Sequence, residues 1–257
     1  MPSELEDVKY QVAIANRVLS EMGLATGPMA SLGHASMRLP SDPGRFVVKG
    51  RGYAIDVLSR MRPEEMVVCD LNGSQVEGPH GVTPCYEIKM HSCIYRARPD
   101  VQSVVHAHPR YTVVMSVLQK SLVPMCLEGL QLVRQPLPVY PHNCIILTDE
   151  EGTEVAATLG DNKIVLLLGH GVATTGVDLI ESVMNMFLLE EQAKMNWYAY
   201  CAAGPGHARI PESMIAEGDN RLPVHELPHL KELFGGSPAP PNNGVWLHYV
   251  DLVSRDL

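Results

Sequence analysis

The sequence predicts an α/β protein on three observations. Segments with apolar residues at helical spacing alternate with short β-branched runs along the chain. The 257 residues are enough to bury a sizeable core. No internal repeat or interdomain linker divides residues 1–257, so one domain is expected, with a Pro/Gly-rich tail from about residue 204.

The composition sets the class. A hydrophobic content of 46% with 19% charged residues is that of a globular chain rather than a disordered one. A net charge of -9, with nothing basic clustered along a face, argues against a nucleic-acid footprint or a membrane-surface patch. The acidic start Met1-Pro2-Ser3-Glu4-Leu5-Glu6-Asp7 lacks the positive region and apolar core of a signal peptide, and no apolar run approaches a membrane span. Six cysteines without C-x-x-C pairing read as reduced thiols, and a cytoplasmic location is expected.

Ser3 and Glu6 form a capping-box pattern, followed at helical spacing by Leu5, Val8, Val12, Ala15, Leu19 and Met22, so the first helix runs to Gly23. Strands are predicted at residues 33–39 and 45–48, with a turn at Pro43-Gly44. Lys49-Gly50-Arg51-Gly52 then reads as a basic loop, either a seat for an anionic substrate group or an ordinary solvated turn. A helical turn at Pro63 leads to a strand at 66–71 and a hairpin. Thr83 as N-cap and Pro84 as first helical residue predict a helix from Cys85 to Arg98, with Cys85, Tyr86 and Glu87 in its positively polarised first turn. Further helices are predicted at 111–118, after Thr148, and from Leu179 to about Ala203, whose methionines suit packing better than ligation. Beyond Gly204 the tail passes through Pro238-Ala239-Pro240-Pro241 to an aromatic patch at 246–249. It reads either as a cover for a pocket or neighbouring subunit, or as irregular surface.

The chemistry centres on Val104-Val105-His106-Ala107-His108-Pro109. Residues two apart on a strand share a face, so His106 and His108 present two imidazoles side by side, and Pro109 ends the strand. A pair alone fits either a metal site or ordinary histidines. A catalytic zinc site uses about three protein ligands. His170, at the end of the apolar run 163–168 and flanked by two glycines, is the best third candidate, and Glu87 supplies a fourth group.

Taken together, Gly33-His34-Ala35-Ser36, Asp70-Leu71-Asn72-Gly73, Glu87 followed by His91, Arg98-Pro99-Asp100-Val101, His106-Ala107-His108 and His170-Gly171 resemble the class II aldolase/adducin family over roughly residues 12–201. The resemblance implies a three-layer α/β/α sandwich around a largely antiparallel sheet, usually a homotetramer with sites between subunits. It also implies that His106, His108 and His170 bind one divalent metal ion per subunit, zinc before manganese or iron, and that Glu87 is the acid/base residue. Sugar-phosphate aldolases of the family carry Gly-Asn where this chain has Gly33-His34, and two serines where it has Cys85-Tyr86. Their downstream tyrosine has no counterpart, with Leu127 or Glu128 near its place.

The chain therefore looks like the branch that decarboxylates hydroxylated aromatic or heteroaromatic carboxylic acids. In that reading His34, Lys49, Arg51, Tyr86 and Glu128 are the substrate contacts. The alternatives are aldol cleavage or epimerisation of a sugar derivative, and Fe(II)-dependent oxidative decarboxylation of an aryl keto or hydroxy acid; ligand type alone does not choose among the metals. Adducin-type interaction modules lose the metal ligands, whereas this chain retains all three together with Glu87.

Overall fold

The computed structural model describes residues 3–232, 243–255 and 257. The chain opens with α1 (Glu4–Glu21), and the capping box forms as expected: Glu6 N–H donates to Ser3 Oγ and Ser3 N–H to the Glu6 carboxylate. β1 (His34–Leu39) turns at Pro40-Ser41 into β2 (Asp42–Arg51). The predicted turn at Pro43-Gly44 therefore lies inside the second strand. Lys49 to Arg51 are strand as well, not loop, because β2 pairs on one side with β3 (Met66–Asp70) and near its end with the two-residue β5 (Thr83–Pro84). β4 (Gln75–Glu77) closes the hairpin after β3.

The next helix starts later than its sequence signals suggest. Thr83 and Pro84 pair with Arg51 and Gly50, and the Cys85 amide donates to the Lys49 carbonyl, so the extended chain persists to Cys85. Only then does it turn into α2 (Ile88–Ala97), with Glu87 at the N-cap position and no capping bond from its side chain. Strand pairing outcompeted the local cap, and Glu87 is left free to point elsewhere.

β6 (Ser103–Ala107) carries the first metal-ligand candidate and leads through His108-Pro109 into α3 (Arg110–Val117). β7 (Val139–Tyr140) precedes α4 (Asp149–Leu159), which Thr148 caps with Glu151 in a second capping box. β8 (Ile164–Leu167) and β9 (Gly171–Gly176) are joined by a tight turn containing His170, and Asp178 caps α5 (Leu179–Ala203). α6 (Glu212–Asp219) and α7 (Asn243–Val253) follow.

The strands form one sheet in the order β4-β3-β2-β1-β6-β9-β8-β7, with β5 on β2; among the described pairings only β7 with β8 is parallel. This is the expected α/β architecture around a largely antiparallel sheet. Side-chain alternation splits the core between its two faces. Ala35, Val105 and Val172 pack with Ile14 and Val18 of α1 and with Met186 and Leu189 of α5. Val104 and Ala173 face the other way, toward Ile94 of α2 and Val155 of α4.

The tail is more regular than either sequence reading of it. α7 docks on α1, burying Trp246 and Val253 in the first core, and Arg17 donates to the Val253 carbonyl at 2.7 Å. The proline run at 238–241 lies outside the described residues. Among the described residues no helix is long and apolar enough to cross a membrane, and all six cysteines are free.

Candidate metal centre

The centre is built where β1 and β6 run side by side. His34 is paired directly with His106 in the antiparallel register, so their side chains emerge together on the α2 face of the sheet, with ring centroids 5.0 Å apart. His108 stands one residue beyond β6, and α3 begins immediately after Pro109. Glu190 of α5 fixes that corner: its carboxylate accepts the Tyr111 and Thr112 amides at 2.9 and 3.0 Å, supplying from a neighbouring helix the cap that Pro109 lacks.

His170 reaches the same place from the β8–β9 turn, and its flanking glycines explain how. Gly169 has φ +66°, a conformation that L side chains rarely adopt. A Cβ on Gly171 would lie 2.6 Å from the Ala107 carbonyl oxygen and 2.8 Å from Cε1 of His106. The turn can deliver His170 to the histidines of β6 only because its backbone passes that close.

Glu87, His106, His108 and His170 thus place their ligand atoms within 4.8 Å of one another. His106 Nε2 lies 3.0 Å from His108 Nε2 and 3.2 Å from Glu87 Oε2, and His170 Nε2 lies 3.6 Å from Glu87 Oε1. Ligands at zinc distances of about 2.0–2.1 Å in a tetrahedron stand about 3.4 Å apart, so these separations suit a shared cation. The protonation pattern suits it too. The Val172 carbonyl can only accept, so His106 Nδ1 carries the proton that it shares across 2.9 Å, and Nε2 keeps its lone pair toward the centre. His106 and Glu87 are buried while His108 and His170 are partly exposed, so solvent reaches the group from the side of the latter two.

Burial keeps His108 and His170 neutral, as ligands must be. It pushes His108 down to about 3, helped by His106 and His170, and it lowers His170 as well. Burial alone would raise Glu87, but its contacts with His106 and His34 outweigh that and hold the carboxyl below the ordinary range. Its Oε1 accepts the Ile146 amide at 3.1 Å.

Of the remaining residues singled out in the sequence, His34 joins the centre directly, with Nε2 3.5 Å from Glu87 Oε2. Lys49 is buried, bonds Asp56 at 2.7 Å and donates to the Ser31 carbonyl. Arg51 shares Asp56 at 3.0 Å and lies over the exposed Tyr86 ring, 4.3 Å from its centroid. These two cations are thus already partnered by one carboxylate. Glu128 is exposed, with its backbone carbonyl accepting Gln192, and is not gathered into the Glu87 group. Sequence reasoning did not single out the Ile146 amide, for which no residue type is a signal, nor Tyr95, and it named Ser36 only within the Gly33-His34-Ala35-Ser36 motif, with no role behind His34.

An α/β sheet that brings three histidines and a glutamate within 4.8 Å of one another offers a group that could hold a metal ion. More narrowly, residues 10–197 match the family described as class II aldolase and adducin N-terminal domain, and the chain belongs to that family. It is 28% identical over 246 residues to a 3,4-dihydroxyphthalate decarboxylase of Terrabacter sp., covering 93% of this chain and 94% of the relative. It is 28% identical over 169 residues to an L-fuculose phosphate aldolase of Methanococcus maripaludis, covering 66% of this chain and 86% of that one. Among solved structures, an aldolase II superfamily protein from Pseudomonas syringae superposes with a TM-score of 0.78 at 21% identity, over 99% of this chain and 95% of that one, a likeness of fold.

Proposed function

We propose that the chain is a divalent-metal-dependent carbon–carbon lyase that decarboxylates a hydroxylated aromatic or heteroaromatic carboxylic acid without oxidation. The observation that carries this reading is the placement of Glu87. Its carboxylate is tethered by the Ile146 amide through one oxygen, while the other faces His106 and His34. His106, His108 and His170, with Glu87 as a fourth group, hold the metal. Zinc is favoured by three imidazoles and a carboxylate, though manganese and iron also accept them. When bound, the cation supplies a Lewis acid for the electron pair released as the carbon–carbon bond breaks.

The chain's own residues then manage the substrate and its proton. Glu87 takes the proton of the substrate hydroxyl, the bond to the carboxylate breaks with its electron pair left on the ring carbon, and CO2 departs. Glu87 returns the proton to that carbon, and the product oxyanion takes a proton from water on release. His34 donates to the substrate carboxylate. Lys49 and Arg51, which with Asp56 carry one net positive charge, favour an anion nearby, and Tyr86 flanks the ring. Glu128, exposed and outside the Glu87 group, is given no part in this scheme. Full-length similarity to a protein named as a dihydroxyphthalate decarboxylase supports the substrate class.

Similarity to a fuculose phosphate aldolase favours aldol cleavage as the second reading. The test is CO2 release from hydroxybenzoic, hydroxyphthalic and hydroxypyridine carboxylic acids by protein loaded separately with Zn2+, Mn2+ and Fe2+, with and without oxygen. Release without oxygen supports the proposal. Release only with Fe2+ and oxygen replaces it with the oxidative reaction, and cleavage of sugar phosphates with no release from any acid replaces it with the aldol reaction. Subunit assembly belongs to the same proposal: a homotetramer acting on a small molecule is expected from sizing of the metal-loaded protein.

A further inference from the structure

Behind His34 a line of buried side chains runs away from the centre along α2. His34 Nδ1 is 2.6 Å from His91 Nε2, His91 Nδ1 is 2.7 Å from Ser36 Oγ, and Ser36 Oγ is 2.7 Å from the Tyr95 hydroxyl. All four residues are buried, and the Arg38 guanidinium covers the Tyr95 ring at 4.5 Å from its centroid. α2 turns His91 and Tyr95, four residues apart, onto one face, and β1 presents His34 and Ser36, two apart, opposite them.

We infer that His91 is a positioning residue: with Ser36 and Tyr95 behind it, it fixes His34 in the tautomer whose Nε2 carries the proton. This deepens the proposed function and rests on it in one respect, that the proton so fixed is the donor offered there to the substrate carboxylate.

A neutral imidazole has one N–H, so the His34–His91 contact can be made in two directions only. At the inner end, the Ser36 hydroxyl has one proton and three acceptors in reach, His91 Nδ1 and the Tyr95 oxygen at 2.7 Å and the Val104 carbonyl at 3.4 Å. Among the described contacts the Tyr95 proton itself has only the Ser36 oxygen to go to, so Tyr95 donates and His91 Nδ1 competes with the carbonyl alone. The shorter bond takes the Ser36 proton. His91 Nδ1 is thereby an acceptor, so His91 Nε2 carries the proton and gives it to His34 Nδ1, leaving His34 Nε2–H directed at Glu87. The outer end demands the same direction, because an ionised carboxylate only accepts. Reversing the line would set a His34 lone pair against Glu87 and send the Ser36 proton either to the distant carbonyl or to the Tyr95 oxygen, whose own proton would then lack an acceptor among the described contacts.

A second metal site is the rival reading, since His34, His91 and Cys85 also gather within 4.8 Å. The 2.6 Å nitrogen–nitrogen separation answers it: that is a hydrogen bond, shorter than the about 3.4 Å between two ligands of one tetrahedral cation. Burial also pushes the Cys85 thiol upward, away from the thiolate a metal would need.

The test reads tautomers directly, by long-range proton–nitrogen correlation of the histidine rings in 15N-labelled, zinc-loaded protein, with the His34 ring assigned by its absence from His34→Asn. The expected spectrum shows His34 and His91 both protonated at Nε2 and unprotonated at Nδ1. In Ser36→Ala the His34 Nδ1 resonance moves toward the protonated position, as the two directions become mixed, while that of His106 Nδ1 stays put. Tyr95→Phe, which leaves the Ser36 proton in place, shifts it less. His34 protonated at Nδ1 in the wild type, no response to Ser36→Ala in a folded variant, or two zinc ions per subunit would each overturn the inference. None of these readings needs a substrate, so failure of the decarboxylation assay leaves the tautomer result standing, and a reversed line withdraws His34 as the donor to the carboxylate while CO2 release is still read on its own.

Discussion

The Ile146 amide donates to Glu87 Oε1 across 3.1 Å, and this one backbone contact sets the direction of the carboxylate, because the other oxygen is then turned to His106 at 3.2 Å. Glu87 sits at the start of α2 but caps nothing there. Its side chain is spent on the centre.

Glu87→Gln keeps an oxygen for the Ile146 amide but removes the group that accepts and returns a proton. The expected loss in kcat is about 10²–10⁴-fold, the usual size of a general acid/base contribution. The three histidines remain, so metal content measured by elemental analysis stays close to that of the wild type. Retention of full activity would exclude Glu87 from proton transfer.

His108 is partly exposed, one residue past the end of β6, so its side chain can be removed with little disturbance of the core. His108→Ala is expected to abolish activity and most bound metal while leaving the circular dichroism spectrum intact. Chelation should lower the melting temperature of the wild type and leave that of the variant unchanged, since a ligand stabilises only the state that binds it. A variant that still binds and responds to metal would place the site elsewhere.

Much of this was legible in the sequence, for identifiable reasons. Ser3 with Glu6, Thr148 with Glu151 and Asp178 announce their helices through local chemistry that nothing else in the fold contradicts. The H-x-H spacing of 106 and 108 on a β-branched run is read directly from the strand period, and the glycines around His170 signal the close approach the structure shows. The helix predicted from Cys85 failed because its cap signal competes with the pairing of Thr83 and Pro84 to β2, a partner more than thirty residues away in sequence. Lys49 and Arg51 looked like a free basic loop because Asp56, which binds both, gives no sign in the local pattern. The line from His34 to Tyr95 is likewise tertiary: α2 must lie over β1 before His91 and Ser36 can meet.

Metal-free protein should lose stability as pH falls from about 6.5 toward 4. Burial, against the opposing influence of Glu87, pushes His34 down to about 4, whereas in the unfolded chain it titrates near its ordinary value of 6.5. Between those values the unfolded state binds the proton and the folded state does not, so stability rises with pH across the window. It falls on acidification and stops falling on this account below the folded value. The His34 share is about 3 kcal/mol. Urea midpoints at intervals from pH 7 to 4 measure it, and a His34→Asn variant, lacking the titrating group, should show a shallower slope.

Glu190 holds the corner after His108 without touching the centre itself. Its carboxylate accepts two backbone amides and the Thr112 hydroxyl at the start of α3. Glu190→Ala removes that cap and is expected to destabilise the fold by about 1–2 kcal/mol, as loss of an N-cap side chain does. Glu190→Gln keeps one acceptor and should lose less, measured by urea denaturation of the metal-free protein. Metal affinity should fall in the same order, because α3 and His108 share the backbone that Glu190 anchors.

Of the glycines beside the centre, Gly33, Gly169 and Gly171, the last leaves the least room for an added methyl group. Gly171→Ala would set a Cβ 2.6 Å from the Ala107 carbonyl oxygen, 2.8 Å from Cε1 of His106 and 3.1 Å from Cδ2 of His108. The first of these is backbone of β6 and cannot swing aside, so β9 and the turn bearing His170 must move away from the strand that carries the other two histidines. Overpacking of this kind costs about 1–3 kcal/mol in stability. It should also weaken metal binding by more than the same substitution at Gly206, where a Cβ meets nothing within 4 Å. Competition titration with a coloured chelator compares the two variants. Equal affinities would mean that the β8–β9 turn can retreat without carrying His170 out of reach, and that the close packing of Gly171 serves the sheet rather than the centre.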